Sequence, residues 1–243
     1  MTSEPAPAQP LTVVLVHGAF ADSSSWNGVI ELLQADGIQV FAVAVPLRGI
    51  SFDSAYLASV FAQIPGPVLA VAHSYGGAVI SNAATQSQNV AGLVFVAAFA
   101  PDEGEKLSDI TAASKDSVLG AALVPRQYPT GSGTGTEFFI DPAKARHAFA
   151  GDLTDVQAAL IGTVQRPVTD IAFGEPSGAP AWKTLPSWAV VATADRAAGT
   201  DVTRAHAERA GAAITELDGS HVIMMSQPQA VADVIRSAIA EVS

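Results

Sequence analysis

The chain has 243 residues, which suits one large α/β domain or one such domain carrying an insertion. Its formal net charge is −11, from 12 basic and 23 acidic residues, so its surface repels phosphate backbones and anionic headgroups and argues against nucleic acid as a partner. Cysteine is absent, which excludes disulfides, thiol catalysis and cysteine-ligated metals.

The first ten residues, MTSEPAPAQP, have no basic n-region and no apolar h-region; they read as a short disordered tail, not a signal peptide. No apolar run is long enough to cross a bilayer, so the expected location is the cytoplasm, away from membranes. Residues 11–243 then read as a single α/β domain.

Six short apolar runs punctuate that domain, at about 11–17, 38–45, 67–73, 91–98, 187–194 and 212–218. The first five are rich in valine and nearly continuous in apolarity, as strands covered by helices on both faces are. Helical segments lie between them. One follows the capping cluster Ser23–Ser25, and one starts near Asp53 with Tyr56, Leu57, Val60 and Phe61 at helical spacing. A third follows Ser74, a fourth covers about 201–210, and the last begins at Pro228 as a first-turn proline. This alternation predicts a parallel sheet. It breaks over about 101–186, where mixed helical signals, several prolines and the tract GSGTGT predict a lid inserted after the fourth strand.

The first run ends in Val16-His17-Gly18-Ala19-Phe20. Gly18 permits close backbone approach, and the N–H of Ala19, or of Phe20 if the turn is offset, is aimed to hold a developing oxyanion. His17 is expected to brace this loop by hydrogen bonding; its rival role is that of a base. The third run leads straight into Ala72-His73-Ser74-Tyr75-Gly76-Gly77 and then a helix. That is a small-x-Ser-x-Gly nucleophile elbow, with Ala72 where glycine is commoner. The turn is so tight that its flanking residues must be small, and it strains Ser74 so that the hydroxyl faces a substrate. The N–H of Tyr75 is the second oxyanion donor.

A serine hydroxyl needs an imidazole, and the imidazole needs an acid. Of the five histidines, His17 and His73 belong to these loops, and His147 and His206 read as surface residues. His221, in Asp218-Gly219-Ser220-His221, directly follows the last strand and is the expected base. Asp195 ends the fifth run and is the expected acid. Asp102, just past the fourth, is its competitor, and Asp218 reads as a turn residue.

The segments VLVHGAF, AHSYGGAVI, VATADRA and DGSHVIMMSQP together resemble the branch of the α/β-hydrolase superfamily that contains plant methylesterases, plant hydroxynitrile lyases and related bacterial esterases. The resemblance covers about 11–240 and is weakest in the lid. It implies a mostly parallel sheet of about six strands flanked by helices, a triad of Ser74, Asp195 and His221, oxyanion donors at Ala19 and Tyr75, and no metal or organic cofactor. Hydroxynitrile lyases of this fold place a threonine where this chain has Gly18 and a lysine where it has Val222, so both departures favour ester hydrolysis. Dehalogenases and epoxide hydrolases carry aspartate at the elbow, where this chain has Ser74.

The implied activity is cleavage of small or medium uncharged carboxylic esters through an acyl-enzyme. Candidate wall residues of an apolar pocket are Phe20, Tyr75, Phe99, Phe138, Phe139, Trp182, Met224 and Met225, each of which core packing would also explain. Two other readings stay open: a lyase or other non-hydrolytic enzyme on the same triad, and a non-catalytic ligand-binding protein. A homodimer is compatible with all three.

Overall fold

β-Branched side chains fit a pleated backbone, and a strand apolar at every position must be covered on both faces. The computed structural model describes residues 9–242, so the disordered-tail expectation for residues 1–10 falls almost wholly outside the described residues. β1 (Thr12–Val16) leads through a 3-10 turn to α1 (Asn27–Ala35). The cap of that turn is Asp22, whose carboxylate accepts the Ser24 N–H at 2.7 Å, and not the serine cluster itself. Next come β2 (Gln39–Val43), α2 (Ile50–Phe61), β3 (Val68–His73), α3 (Gly76–Ala83) and β4 (Val90–Val96). In α2 Leu57 and Phe61 are buried, whereas Tyr56 faces solvent.

The chain then leaves the sheet through α4 (Leu107–Ala113), β5 (Leu123–Thr130), β6 (Gly133–Ile140), α5 (Ala145–Ala148), α6 (Asp155–Val164), β7 (Val168–Thr169) and α7 (Asp170–Gly174). It returns as β8 (Ser187–Ala192), α8 (Thr200–Arg209), β9 (Ala213–Leu217), α9 (Ile223–Ser226) and α10 (Pro228–Val242).

Within the excursion, the tract at 131–136 forms the turn of a hairpin and the start of its second strand, with Thr130 opposite Gly133 across a two-residue Gly-Ser connection. Tyr128 lies opposite Gly135, and its ring occupies the space a side chain at 135 would need. Together with β7 this hairpin makes a separate three-stranded antiparallel sheet.

The main sheet has six strands in the order β2-β1-β3-β4-β8-β9, all paired in parallel. β1, β3 and β8 are buried at every residue, while the edge strands β2 and β9 are only partly covered. That split follows from position, since helices screen both faces of the central strands. From β1 the chain steps outward to β2, and β3 then returns to the other side of β1. The loops after β1 and β3 therefore diverge at a topological switch point, where open α/β sheets leave a crevice beyond the carboxyl ends of their strands.

Candidate active site

Val16 pairs with Ala72, so the two divergent loops begin side by side. Ser74 has φ 54°, the left-handed region that a non-glycine residue enters only under constraint. Its carbonyl accepts the N–H of Gly77 at 3.0 Å and of Phe99 at 3.1 Å, which ties the elbow to α3 and to the loop after β4. The elbow's small residues are required. A Cβ at Gly76 would stand 2.9 Å from the His17 carbonyl oxygen, and one at Gly18 would stand 2.5 Å from Ser74 Cβ. Such contacts leave no room for a side chain, so the loop after β1 lies directly against the elbow.

Three side chains form one hydrogen-bonded chain. Ser74 Oγ lies 2.8 Å from His221 Nε2, and His221 Nδ1 lies 2.8 Å from Asp195 Oδ2. A carboxylate can only accept, so Nδ1 carries the proton and Nε2 is left to accept from the serine. Asp195 Oδ1 is occupied by the N–H groups of Ala197 at 2.9 Å and Ala198 at 3.0 Å. Asp195 and His221 are almost fully buried, and Ser74 keeps 5% of its surface exposed. Asp102 lies elsewhere: its side chain is half-exposed and bridges Lys183. Hydrogen bonds from Lys183 and from the Glu103 N–H hold the Asp102 carboxyl below the usual carboxylate range.

The other histidines occupy distinct niches. His17 Nδ1 donates to the Gly18 carbonyl at 2.9 Å, and its Nε2 accepts the Val45 N–H at 3.0 Å, which braces the loop against the end of β2. Burial lowers its pKa to about 4, so it is neutral near pH 7. His73 Nε2 donates to the His221 carbonyl at 2.9 Å, and its Nδ1 is buried with no partner. His206 is not at the surface as expected. It is buried, its Nδ1 accepts the Ala100 N–H at 2.9 Å, and burial lowers its pKa to about 4. Of its charged neighbours, Arg204 pairs with Glu216 at the surface, whereas Arg209 lies beside His206 and donates to the Ala100 carbonyl. His147 is exposed.

A model of the alpha/beta hydrolase family matches residues 13–234. The chain belongs to the α/β-hydrolase family. Among solved structures this α/β-hydrolase is similar to polyneuridine aldehyde esterase, at 21% identity and a TM-score of 0.79, covering 95% of this chain and 99% of that one. A methylesterase from Arabidopsis shows 18% identity and a TM-score of 0.78 over 95% and 99% of the two chains. Tomato methylketone synthase I bound to 2-tridecanone shows 19% identity and a TM-score of 0.76 over 97% and 100%. At these identities the likeness is one of fold. No curated protein matches the chain.

Around the elbow of this α/β-hydrolase the candidate wall residues separate into groups. Phe20, at φ 62°, is buried and stacks on Phe173 at 6.3 Å and edge-on to Phe149 at 6.2 Å. Phe138 lines a cavity of about 550 Å³ bounded by α4, the turn at 119–122 and the hairpin. Met225 lines a small void of about 30 Å³ beside Phe20 and Phe149, while Met224 is fully buried. Phe99 is buried against His206, Phe139 lies under Arg126, and Trp182 donates to the Pro101 carbonyl and stacks with Lys183 and Arg209. These last three pack away from the cavity.

Two phenylalanines that the sequence did not single out stand closer. Phe149 meets the His221 ring at 4.9 Å, and Phe173 lies 6.4 Å from the Tyr75 ring and also lines the large cavity. Both belong to the excursion and carry no local motif. Asp152, also in the excursion, accepts the Ser220 hydroxyl and so fixes the residue before His221. No helix among the described residues is long and apolar enough to cross a membrane, and no cluster of metal-ligating side chains occurs among them.

Proposed function

We propose that this α/β-hydrolase cleaves carboxylic esters of small or medium uncharged substrates through an acyl-enzyme. The unbroken chain from Ser74 Oγ through His221 to Asp195, at 2.8 Å in both links, is the observation that carries the reading. His221 takes the Ser74 proton as the hydroxyl attacks the ester carbonyl. The backbone N–H groups of Ala19 and Tyr75 hold the oxyanion. His221 then protonates the departing alcohol, activates water, and the acid leaves. Asp195 keeps the proton on Nδ1 throughout and stabilises the imidazolium.

The large cavity receives the apolar part of the substrate, with the excursion as its lid. Its lining includes Leu119, Leu123, Phe138 and Phe173 and no charged side chain. A charged group placed there would lose hydration and meet only neutral hydroxyls, with no opposite charge in return. Hydrolysis is favoured over cyanohydrin cleavage because position 18 has no room for a side chain and Val222, next to the base, is fully buried. Esterases and a methylketone synthase share the fold, so the side chains and not the fold select the reaction.

The test is labelling by a fluorophosphonate, followed by a panel of esters graded in acyl and alcohol length. Wild type is expected to label and to turn over uncharged esters, and Ser74→Ala to do neither. Equal labelling of the two proteins would remove the nucleophile, and turnover of cyanohydrins without esters would replace hydrolysis by elimination.

A further inference from the structure

Tyr75 does more in this fold than supply a main-chain N–H. Its side chain is fully buried, and its hydroxyl donates to Asp53 Oδ2 at 2.8 Å. Asp53 is itself 0% exposed, in the first turn of α2, and among the described residues no cation pairs with it. The loop before α2 wraps its carboxylate. The Arg48 N–H approaches both oxygens, at 3.1 and 3.2 Å, and Leu47 and Gly49 turn their N–H groups toward it as well. That wrapping requires unusual backbone, with φ 61° at Leu47 and φ 149° at Gly49. Burial raises the Asp53 carboxyl above its usual range, and the tyrosine hydroxyl and loop N–H groups oppose that rise. Burial and the adjacent carboxylate push the Tyr75 hydroxyl upward, so it remains a donor.

A strained residue persists only where its surroundings over-determine it. Ser74 at φ 54° is held by main-chain bonds on its own carbonyl, and Asp53 grips the side chain of the next residue. The same loop and the first turn of α2 are tethered to the excursion. The Leu47 carbonyl accepts the Thr169 N–H at 3.2 Å, Arg48 pairs with Glu137 at 3.0 Å, and Ser51 donates to Glu175 at 2.5 Å. One buried carboxylate thus sits between the elbow and the segment that covers it.

We propose that Asp53 is a positioning residue that acts through the Tyr75 hydroxyl to hold the Tyr75 N–H on the developing oxyanion. The inference rests on the ester-hydrolase reading. Asp53 touches no reacting atom. It would act on the transition state and not on ground-state binding, because the carbonyl becomes an oxyanion only after attack.

The test compares two inhibitors on the full chain. An alkyl trifluoromethyl ketone adds to the serine oxygen and creates an oxyanion; the parent methyl ketone occupies the pocket without adding. Tyr75→Phe keeps the ring and the N–H and removes only the anchor. It is expected to weaken the trifluoromethyl ketone about tenfold or more, leave the methyl ketone within about twofold, and lower kcat with KM nearly unchanged. Asp53→Asn should repeat the pattern, and the double variant should lose no more than the worse single one, since both act through one contact. A purely structural role would weaken both ketones together or lower only the melting temperature, and either result overturns the inference. So does a Tyr75→Phe protein that binds the trifluoromethyl ketone as wild type does. If Asp53→Asn does not fold, Tyr75→Phe decides alone. A wild type that binds the trifluoromethyl ketone no better than Ser74→Ala does would instead sink the ester-hydrolase reading.

Discussion

Replacing Asp195 by asparagine separates the two roles of that carboxylate, and the structure dictates which way the new amide faces. Asp195 Oδ1 meets two donors, the N–H groups of Ala197 and Ala198. An NH2 group cannot be placed against both, so the asparagine oxygen must take that side. The NH2 then faces His221 Nδ1 across the 2.8 Å gap and demands a lone pair there. The imidazole proton moves to Nε2, which points at Ser74 Oγ and can no longer accept from it. The fold is retained while the base holds the wrong tautomer. The loss of kcat for such a change is about four orders of magnitude, or about 5 kcal/mol of transition-state stabilisation. Asp102→Asn serves as the internal control; its half-exposed side chain bridges Lys183, so its rate should stay within about twofold of wild type. Both proteins are assayed for kcat/KM on one activated ester, with unfolding curves to confirm that they are folded. An Asp195→Asn protein within tenfold of wild type, or a greater loss in Asp102→Asn, would refute the tautomer argument.

Acid should destabilise the protein well before its carboxylates titrate. His17 and His206 have pKa values lowered by burial to about 4, against 6.5 in the unfolded chain, so the unfolded state binds protons that the folded state refuses. Their contribution is complete above pH 6.5 and is lost as pH falls toward 4, by about 3 kcal/mol for each residue over the whole span. Denaturant midpoints measured from pH 7.5 down to 5 should therefore drop, and His206→Gln should flatten the decline; a pH-independent midpoint over that range contradicts it. Gly18→Ala places a Cβ 2.5 Å from Ser74 Cβ and 2.9 Å from His73 Nδ1, which forces the loop away from the elbow. Overpacking of this kind costs about 1–3 kcal/mol, and displacing the oxyanion donors by an ångström costs about a hundredfold in rate. A melting curve and an ester assay on one preparation check both, and wild-type turnover would show that the loop does not need to touch the elbow.

The parts legible in the sequence are those whose chemistry demands a local pattern. Strands buried on both faces need consecutive apolar residues, and Val13–Val16 or Val68–Ala72 supply them. The elbow needs small neighbours because main-chain atoms lie where side chains would go, and that requirement is written at Gly76. What could not be read depends on partners distant in sequence. Phe149 and His221 touch across 72 residues of chain, and nothing near Phe149 marks that contact. Asp53 looked like a helix-start residue, which it is, but its burial is imposed by Tyr75 from the next strand-helix turn. His206 has charged neighbours along its helix, yet it faces inward because the Ala100 N–H needs an acceptor. The hairpin at 123–140 was obscured because glycine and serine serve both turns and irregular linkers, and only its register with the opposite strand separates the two.

Three aspartates near the elbow and sheet edge show why residue type alone could not distribute the roles. Asp102 lies beside a lysine at the surface, where water screens the pair and little distinguishes it from any exposed carboxylate. Asp53 is buried among neutral donors; every oxygen is committed to a main-chain N–H or to the Tyr75 hydroxyl, so it can fix geometry but cannot orient a base. Asp195 is buried with one oxygen saturated by amides and the other left for an imidazole. That asymmetry suits the acid of the proposed triad. The saturated oxygen holds the carboxylate still, and the free one can strengthen its hydrogen bond when His221 becomes positive, without either oxygen having to move.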